Sequence, residues 1–211
     1  AASDVYKRQV RGTVLAGRER CIARPVRIGH NNRMAKKKTF KRSVELPIQT
    51  VHEVVTDEDY ILSMEQQNEG ATAELVHSDI QHGEDGSLVA DVEVRFVPKP
   101  ASNAEGGESA KEQKPMQISQ HLEVGALQGN AFPVKNVVPL PAGIGEMTTS
   151  LQYEADPADA SVTNVDVVVE AKVSVPMLGG MIAKKLLADS ENSVERVLER
   201  IVSTAEEKGL K

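Results

Sequence analysis

Scarcity marks this chain: one cysteine, no tryptophan and six aromatic residues in 211. Cys21 alone permits neither an intrachain disulfide nor a thiolate metal site. Tyr6, Phe40, Tyr60, Phe96, Phe132 and Tyr153 are the only rings. That excludes the aromatic platforms used to bind single-stranded nucleic acid. An internal pocket would be walled mainly by Val, Leu, Ile, Met and Ala, which suits a flexible apolar ligand. No apolar run approaches the roughly 18–20 residues that span a bilayer, so no transmembrane segment is expected. Residues 10–28 are broken by arginines and lack the apolar stretch of a secretory signal. With so little cysteine, the expected setting is cytoplasmic.

Charge is unevenly spread. Residues 1–33 hold eight Lys or Arg against Asp4 and Glu19, which leaves 34–211 with 17 basic and 29 acidic residues, a net of −12. Duplex DNA and anionic membranes are therefore not expected partners of the folded part. Residues 1–33 also lack strand or helix periodicity. They read as an extension outside the domain, either translated upstream of a natural start at Met34 or a disordered basic tail. The Lys36, Lys37 and Lys38 run reads as part of a solvated tail.

Beyond it the hydropathy becomes regular. Residues 39–46 alternate as a first strand, with Phe40, Val44 and Leu46 inward. Pro47 suits a helix start, and 48–56 carry Ile48, Val51, Val54 and Val55 at helical spacing. Asp57 suits the cap of a second short helix over 58–67. Strands follow over 71–80, 88–96, 116–124, 132–138, 145–153 and 161–175. Gly83-Glu84-Asp85-Gly86 and 139–143 are turns. Residues 98–115 have no apolar periodicity and read as a long mobile loop. In the last strand Val165, Val167, Val169, Ala171, Val173 and Val175 fall on one side of the pleat. From Ala183 the period changes, and Leu186, Leu187, Ser190, Val194, Val197, Leu198, Ile201, Val202 and Ala205 share one helical arc. Lys184, Lys185, Glu195, Arg196, Glu199 and Arg200 cover the rest. Short turns between six consecutive strands imply an antiparallel meander whose concave face the final helix covers.

Two stretches, VHEVVTDEDYI (51–61) and KVSVPMLGGMIAKKLLAD (172–189), resemble an actinobacterial family of unknown function in the START-like superfamily of lipid-transport and polyketide-cyclase proteins. The resemblance covers about 37–209. It implies an α+β helix-grip fold: a seven-stranded curved antiparallel sheet around a long C-terminal helix, with two short helices between strands one and two. In the 172–189 junction, Pro176 ends strand pairing and Gly179-Gly180 admits a sharp turn and a close backbone approach.

Catalytic constellations are missing. His52, His77, His82 and His121 show no metal-ligand spacing, and no nucleophile elbow or phosphate cradle is present; no cofactor is expected. His77 shares a period-two face with Ala73 and Leu75 and would point inward. Arg42, Gln120, Asn136 and Thr149 interrupt apolar strand faces, as Ser190 interrupts the helical arc; each either orients a ligand or bonds locally. Three functions stay open. The first is a non-enzymatic carrier of a small lipid- or polyketide-like molecule, with Leu75, Val94, Leu122, Met147, Leu151, Val169, Leu186, Ser190 and Val194 as its wall. The second is a cyclase-type enzyme using His77, Asp79 or Tyr153. The third is a filled-core interaction protein, which a void under about 300 Å³ would favour. Oligomeric state is not legible.

Overall fold

A computed structural model describes residues 34–63, 71–98 and 115–210. All lie in one compact unit, Asn31–Lys211. The expectations for 1–33 and for nearly all of the 98–115 loop fall outside the described residues. The element order is β1 (Met34–Val44), α1 (Ile48–Val55), α2 (Glu58–Ser63), β2 (Ala71–His82), β3 (Leu88–Pro98), β4 (Met116–Val124), β5 (Ala131–Pro139), β6 (Gly145–Ala155), β7 (Thr163–Val173), α3 (Gly179–Ala188) and α4 (Ser190–Glu207).

The strands form one antiparallel sheet in the order β1-β7-β6-β5-β4-β3-β2. Strands β2 to β7 follow one another as a meander, and β1 closes the far edge against β7. With the long C-terminal helical segment on its concave face, the arrangement is the helix-grip fold. Alternation along β7 sets the inner face: Val165, Val167, Val169, Ala171 and Val173 are all buried, while Asp166 is exposed. Burying such side chains stabilises the fold at roughly 25 cal/mol per Å² of apolar surface.

Several details depart from the sequence expectation. Strand β1 reaches back to Met34, so the lysine run belongs to the sheet rather than to a solvated tail. Lys37 pairs with Glu170 of β7 at 3.3 Å, and Lys38 pairs with Glu191 of α4 at 2.9 Å. The final helix is two helices meeting at Asp189. Ser190 Oγ donates to the Leu187 carbonyl (2.9 Å), Ser193 Oγ donates to the Asp189 carbonyl (3.1 Å), and Asn192 Nδ2 donates to Asp189 Oδ1 (2.9 Å). Short polar side chains at the junction offer the backbone partners that compete with an unbroken helical ladder. The first of the two helices starts at Gly179. The left-handed residue of the corner is Met177 (φ 63°) rather than either glycine. Gly179 instead eases a close approach, since a Cβ there would stand 3.1 Å from the Val173 carbonyl oxygen.

The helix pair after β1 forms as its sequence suggests. Pro47 precedes α1, whose Ile48, Val51, Val54 and Val55 are buried. Asp57 Oδ1 accepts the Tyr60 amide at 2.9 Å and caps α2. Residues 64–67 of the expected second helix lie outside the described part. Both α3 and α4 pack against β1, α3 also against β7, and α1 lies against α4.

Candidate functional site

A cavity of about 210 Å³ lies between the concave sheet face and the C-terminal helices. Strands β4 to β7 supply its floor through the inward-facing residues of each pleat: Leu122 and Val124, Val134 and Asn136, Met147, Thr149, Leu151 and Tyr153, and Val169. The roof is Leu186 of α3 with Ser190, Ser193, Val194, Val197 and Ile201 of α4. Val55 and Tyr60, from α1 and α2, complete the lining. Ser193 is exposed and Leu186 and Val197 are half-buried, which places the rim along the solvent side of the roof.

Seven of the nine residues expected at the wall come together here: Leu122, Met147, Leu151, Val169, Leu186, Ser190 and Val194. Val94 is buried in the β3 core outside the cavity. Leu75 is 52% exposed on edge strand β2 and takes no part in the lining. The sheet extends further than its roof, and strand periodicity alone does not reveal where coverage stops. Sequence reasoning also missed Val55 and Tyr60 as lining residues, because their placement depends on how the α1–α2 pair crosses the sheet.

The wall is apolar with a few polar interruptions, and two of these hold a buried polar atom without a partner. Asn136 Oδ1 and the Tyr60 hydroxyl are buried without a hydrogen bond. Asn136 sits between Leu122 on β4 and Thr149 on β6, in direct cross-strand register with both. Tyr153 stacks on Phe132 (centroids 4.8 Å apart, planes 9° apart), and His52 meets the same Phe132 edge-on at 4.7 Å. Burial raises the Tyr60 phenol above its ordinary range, with Arg200 opposing only in part. Burial also raises the Tyr153 phenol, reinforced by Tyr60. Both stay protonated at neutral pH and can donate a hydrogen bond.

Arg200 corrects the expectation of a solvent-facing position. It is 9% exposed, its guanidinium carbon is 3.9 Å from the Tyr60 ring centroid, and Nη2 donates to the Tyr60 carbonyl at 3.3 Å. Arg42 also leaves the candidate ligand set. It donates to Glu195 (Nε, 3.0 Å) and Glu191 (Nη2, 2.8 Å), tying β1 to α4 on the outside of the roof. Gln120 is buried with Nε2 unpaired, outside the lining.

Of the three acid–base candidates, only Tyr153 reaches the cavity. His77 and Asp79 are exposed. A register shift between Leu75 and His77 moves His77 opposite Glu93, on the polar face. The extra residue of this bulge reverses the inward assignment made by period-two counting. His121 lies half-buried on that face between Asp91 (2.8 Å) and Glu123 (3.1 Å), and hydrogen bonding to Asp91 raises its pKa. No group of three His, Cys, Asp or Glu placed to hold a metal occurs among the described residues.

A family model described as a protein of unknown function (DUF2505) matches residues 39–202. The chain belongs to this family. Among solved structures it is similar to a protein of unknown function from Staphylococcus aureus at 12% identity, covering 85% of this chain and 99% of that one, with a TM-score of 0.50. It is also similar to norcoclaurine synthase from Thalictrum flavum (12% identity, 94% and 99% covered, TM-score 0.49). A START superfamily protein from Mycobacterium smegmatis gives 13% identity, 80% and 98% coverage and a TM-score of 0.45. At such identities the likeness concerns the fold alone. No curated protein matches the chain. No helix among the described residues is long and apolar enough to cross a membrane.

Proposed function

We propose that this protein binds a compact apolar molecule carrying one hydrogen-bonding group, and does no chemistry on it. What supports this reading is an aliphatic cavity whose lining includes Asn136 and Tyr60, each carrying a buried polar atom without a partner, Asn136 Oδ1 and the Tyr60 hydroxyl. An unpaired buried polar group costs about 1–3 kcal/mol. A ligand that donates to Asn136 and accepts from Tyr60 recovers that cost on binding. Covering about 200 Å² of apolar ligand surface contributes about 5 kcal/mol, and two hydrogen bonds add about 3 kcal/mol. The gross sum corresponds to about 1 μM before association costs are deducted, so dissociation constants from micromolar to millimolar are expected. A long lipid chain exceeds the cavity volume; a short lipid-like or small polyketide-like molecule suits it.

The test is native mass spectrometry of freshly purified protein, joined to titration with a short-chain fluorescent fatty acid and with short alkyl alcohols. A co-purified small molecule, or saturable uptake of either probe, supports the carrier reading. Absence of all three overturns it.

The volume itself favours a second reading. At about 210 Å³ the cavity falls below the roughly 300 Å³ at which ligand pockets begin. A protein that uses its outer surface, with ordered water on Asn136, would leave every probe unbound.

A further inference from the structure

The corner between β7 and α3 presents three apolar side chains to water within five residues. Met177 is 102% exposed, Met181 71% and Leu178 53%. Met177 also holds a left-handed backbone (φ 63°), uncommon for a residue that is not glycine. The corner is built firmly: the Gly179 amide donates to the Val175 carbonyl at 2.8 Å and the Ile182 amide to the Leu178 carbonyl at 3.0 Å. The tip is therefore held outward by the fold. Large apolar side chains clustered on a fixed protrusion mark a surface that another phase or molecule covers.

Charge says what covers it. Lys184 and Lys185 are three and four residues beyond Met181 on α3, on the same side one turn along, and both are exposed. Lys36 is exposed on β1 where the β1–β7 ladder ends beside this corner. The acids nearest in the ladder are already engaged, Glu170 by Lys37 (3.3 Å) and Glu146 by Lys172 (2.9 Å). An apolar tip followed by a collar of free lysines is the pattern of a surface that dips into a bilayer and rests its cations on the headgroups. The chain from 34 onward is acidic overall, yet charge acts over about 8 Å at physiological ionic strength. The collar, and not the distant acids, therefore faces the lipid. We propose that Met177, Leu178 and Met181, with Lys184, Lys185 and Lys36, dock this protein onto an anionic lipid surface. This stands apart from the cavity reading, since docking requires no bound ligand.

The experiment is co-sedimentation of the full chain with vesicles of phosphatidylcholine alone and of phosphatidylcholine and phosphatidylglycerol mixed two to one. Binding is expected only to the mixed vesicles, weakening with added salt. Met177→Ser, Leu178→Ser and Met181→Ser combined should weaken it at least tenfold. Lys184→Gln with Lys185→Gln should weaken it roughly thirtyfold. All five side chains are in solvent, so an unchanged circular-dichroism melt is expected for each variant; should the serine variant melt early, the lysine pair decides alone. Failure of the wild type to bind the mixed vesicles, or undiminished binding by the lysine variant, overturns the proposal. So does a wild-type dimer in sedimentation velocity that the serine variant abolishes without any vesicle binding, because the tip would then be covered by a second copy.

Discussion

Arg200 packs over the ring of Tyr60, its guanidinium carbon 3.9 Å from the ring centroid, and the same tyrosine lines the cavity. The contact joins α4 to α2 and fixes one wall of the site. Arg200 Nε has no partner, so the arginine contributes through its ring contact and packing rather than through complete hydrogen bonding. A desolvated cation–π contact contributes about 2 kcal/mol. Arg200→Ala is expected to lower unfolding free energy by about that much or more. Arg200→Met, which keeps length and restores a sulfur–aromatic contact, should recover at least half. Urea unfolding of both variants checks this, and equal losses would mean that the guanidinium charge over the Tyr60 ring matters and the packing does not.

The two cavity tyrosines predict alkaline sensitivity. Burial raises the folded-state pKa of both Tyr60 and Tyr153 above the ordinary 10.0. In the unfolded chain each phenol ionises near pH 10 while the folded protein keeps it neutral, so the unfolded state binds fewer protons. Their stabilisation is complete below pH 10 and falls as pH rises above it, by up to about 1.4 kcal/mol per pH unit for each phenol. Tyr153→Phe should flatten the stability profile between pH 10 and 11 relative to wild type. Chemical denaturation across that range measures it; a profile as steep as wild type would remove Tyr153 from the account.

Asp57 has two separable duties. It accepts the Tyr60 amide at 2.9 Å as the cap of α2, and it pairs with Lys208 just beyond α4. Burial acts to raise its pKa, but hydrogen bonding and charge from Lys208, with the Tyr60 amide, prevail and leave it lowered. Its contribution is therefore full above the ordinary carboxylate pKa and is lost as pH falls through the folded-state value. Asp57→Asn keeps a capping oxygen and should lose little stability at pH 7, whereas Asp57→Ala should lose about 1 kcal/mol. Both should show a shallower decline than wild type on acidification. Thermal melts from pH 7 to pH 3 separate the cap from the ion pair.

Where the sequence was legible, one periodicity governed a whole element. The valines of β7 alternate because that strand lies on a half-buried sheet, and the arc from Leu187 to Ala205 persists because one stripe of helix meets the core. The misses arise where a single residue breaks a period or a distant element supplies the partner. The bulge at Val76 turned His77 outward, and no count of two anticipates an inserted residue. Arg200 is buried because Tyr60, 140 positions earlier in the chain, offers it a ring and a carbonyl. The break at Asp189 had a local trace in Asp189-Ser190-Glu191-Asn192, residues that favour helix starts, but the continuous apolar arc across it hid the boundary.

Asn136 separates stability from binding. Its Oδ1 is buried without a partner, between Leu122 and Thr149 on the cavity floor. Asparagine there costs the unliganded protein, because the amide oxygen gave up water and gained no bond. Leucine has the same branching and no such debt, and its larger methyl groups find room at the cavity floor. Asn136→Leu is therefore expected to stabilise the unliganded protein by about 1–2 kcal/mol. If Asn136 serves a ligand, the same substitution should shift the preference about tenfold away from a hydroxyl-bearing probe such as a short alkyl alcohol and toward a purely hydrocarbon probe. Thermal unfolding and probe titration on one preparation read both effects. Stabilisation without any change in the preference between the two probes would make Asn136 a site for ordered water and would remove it from the ligand contacts.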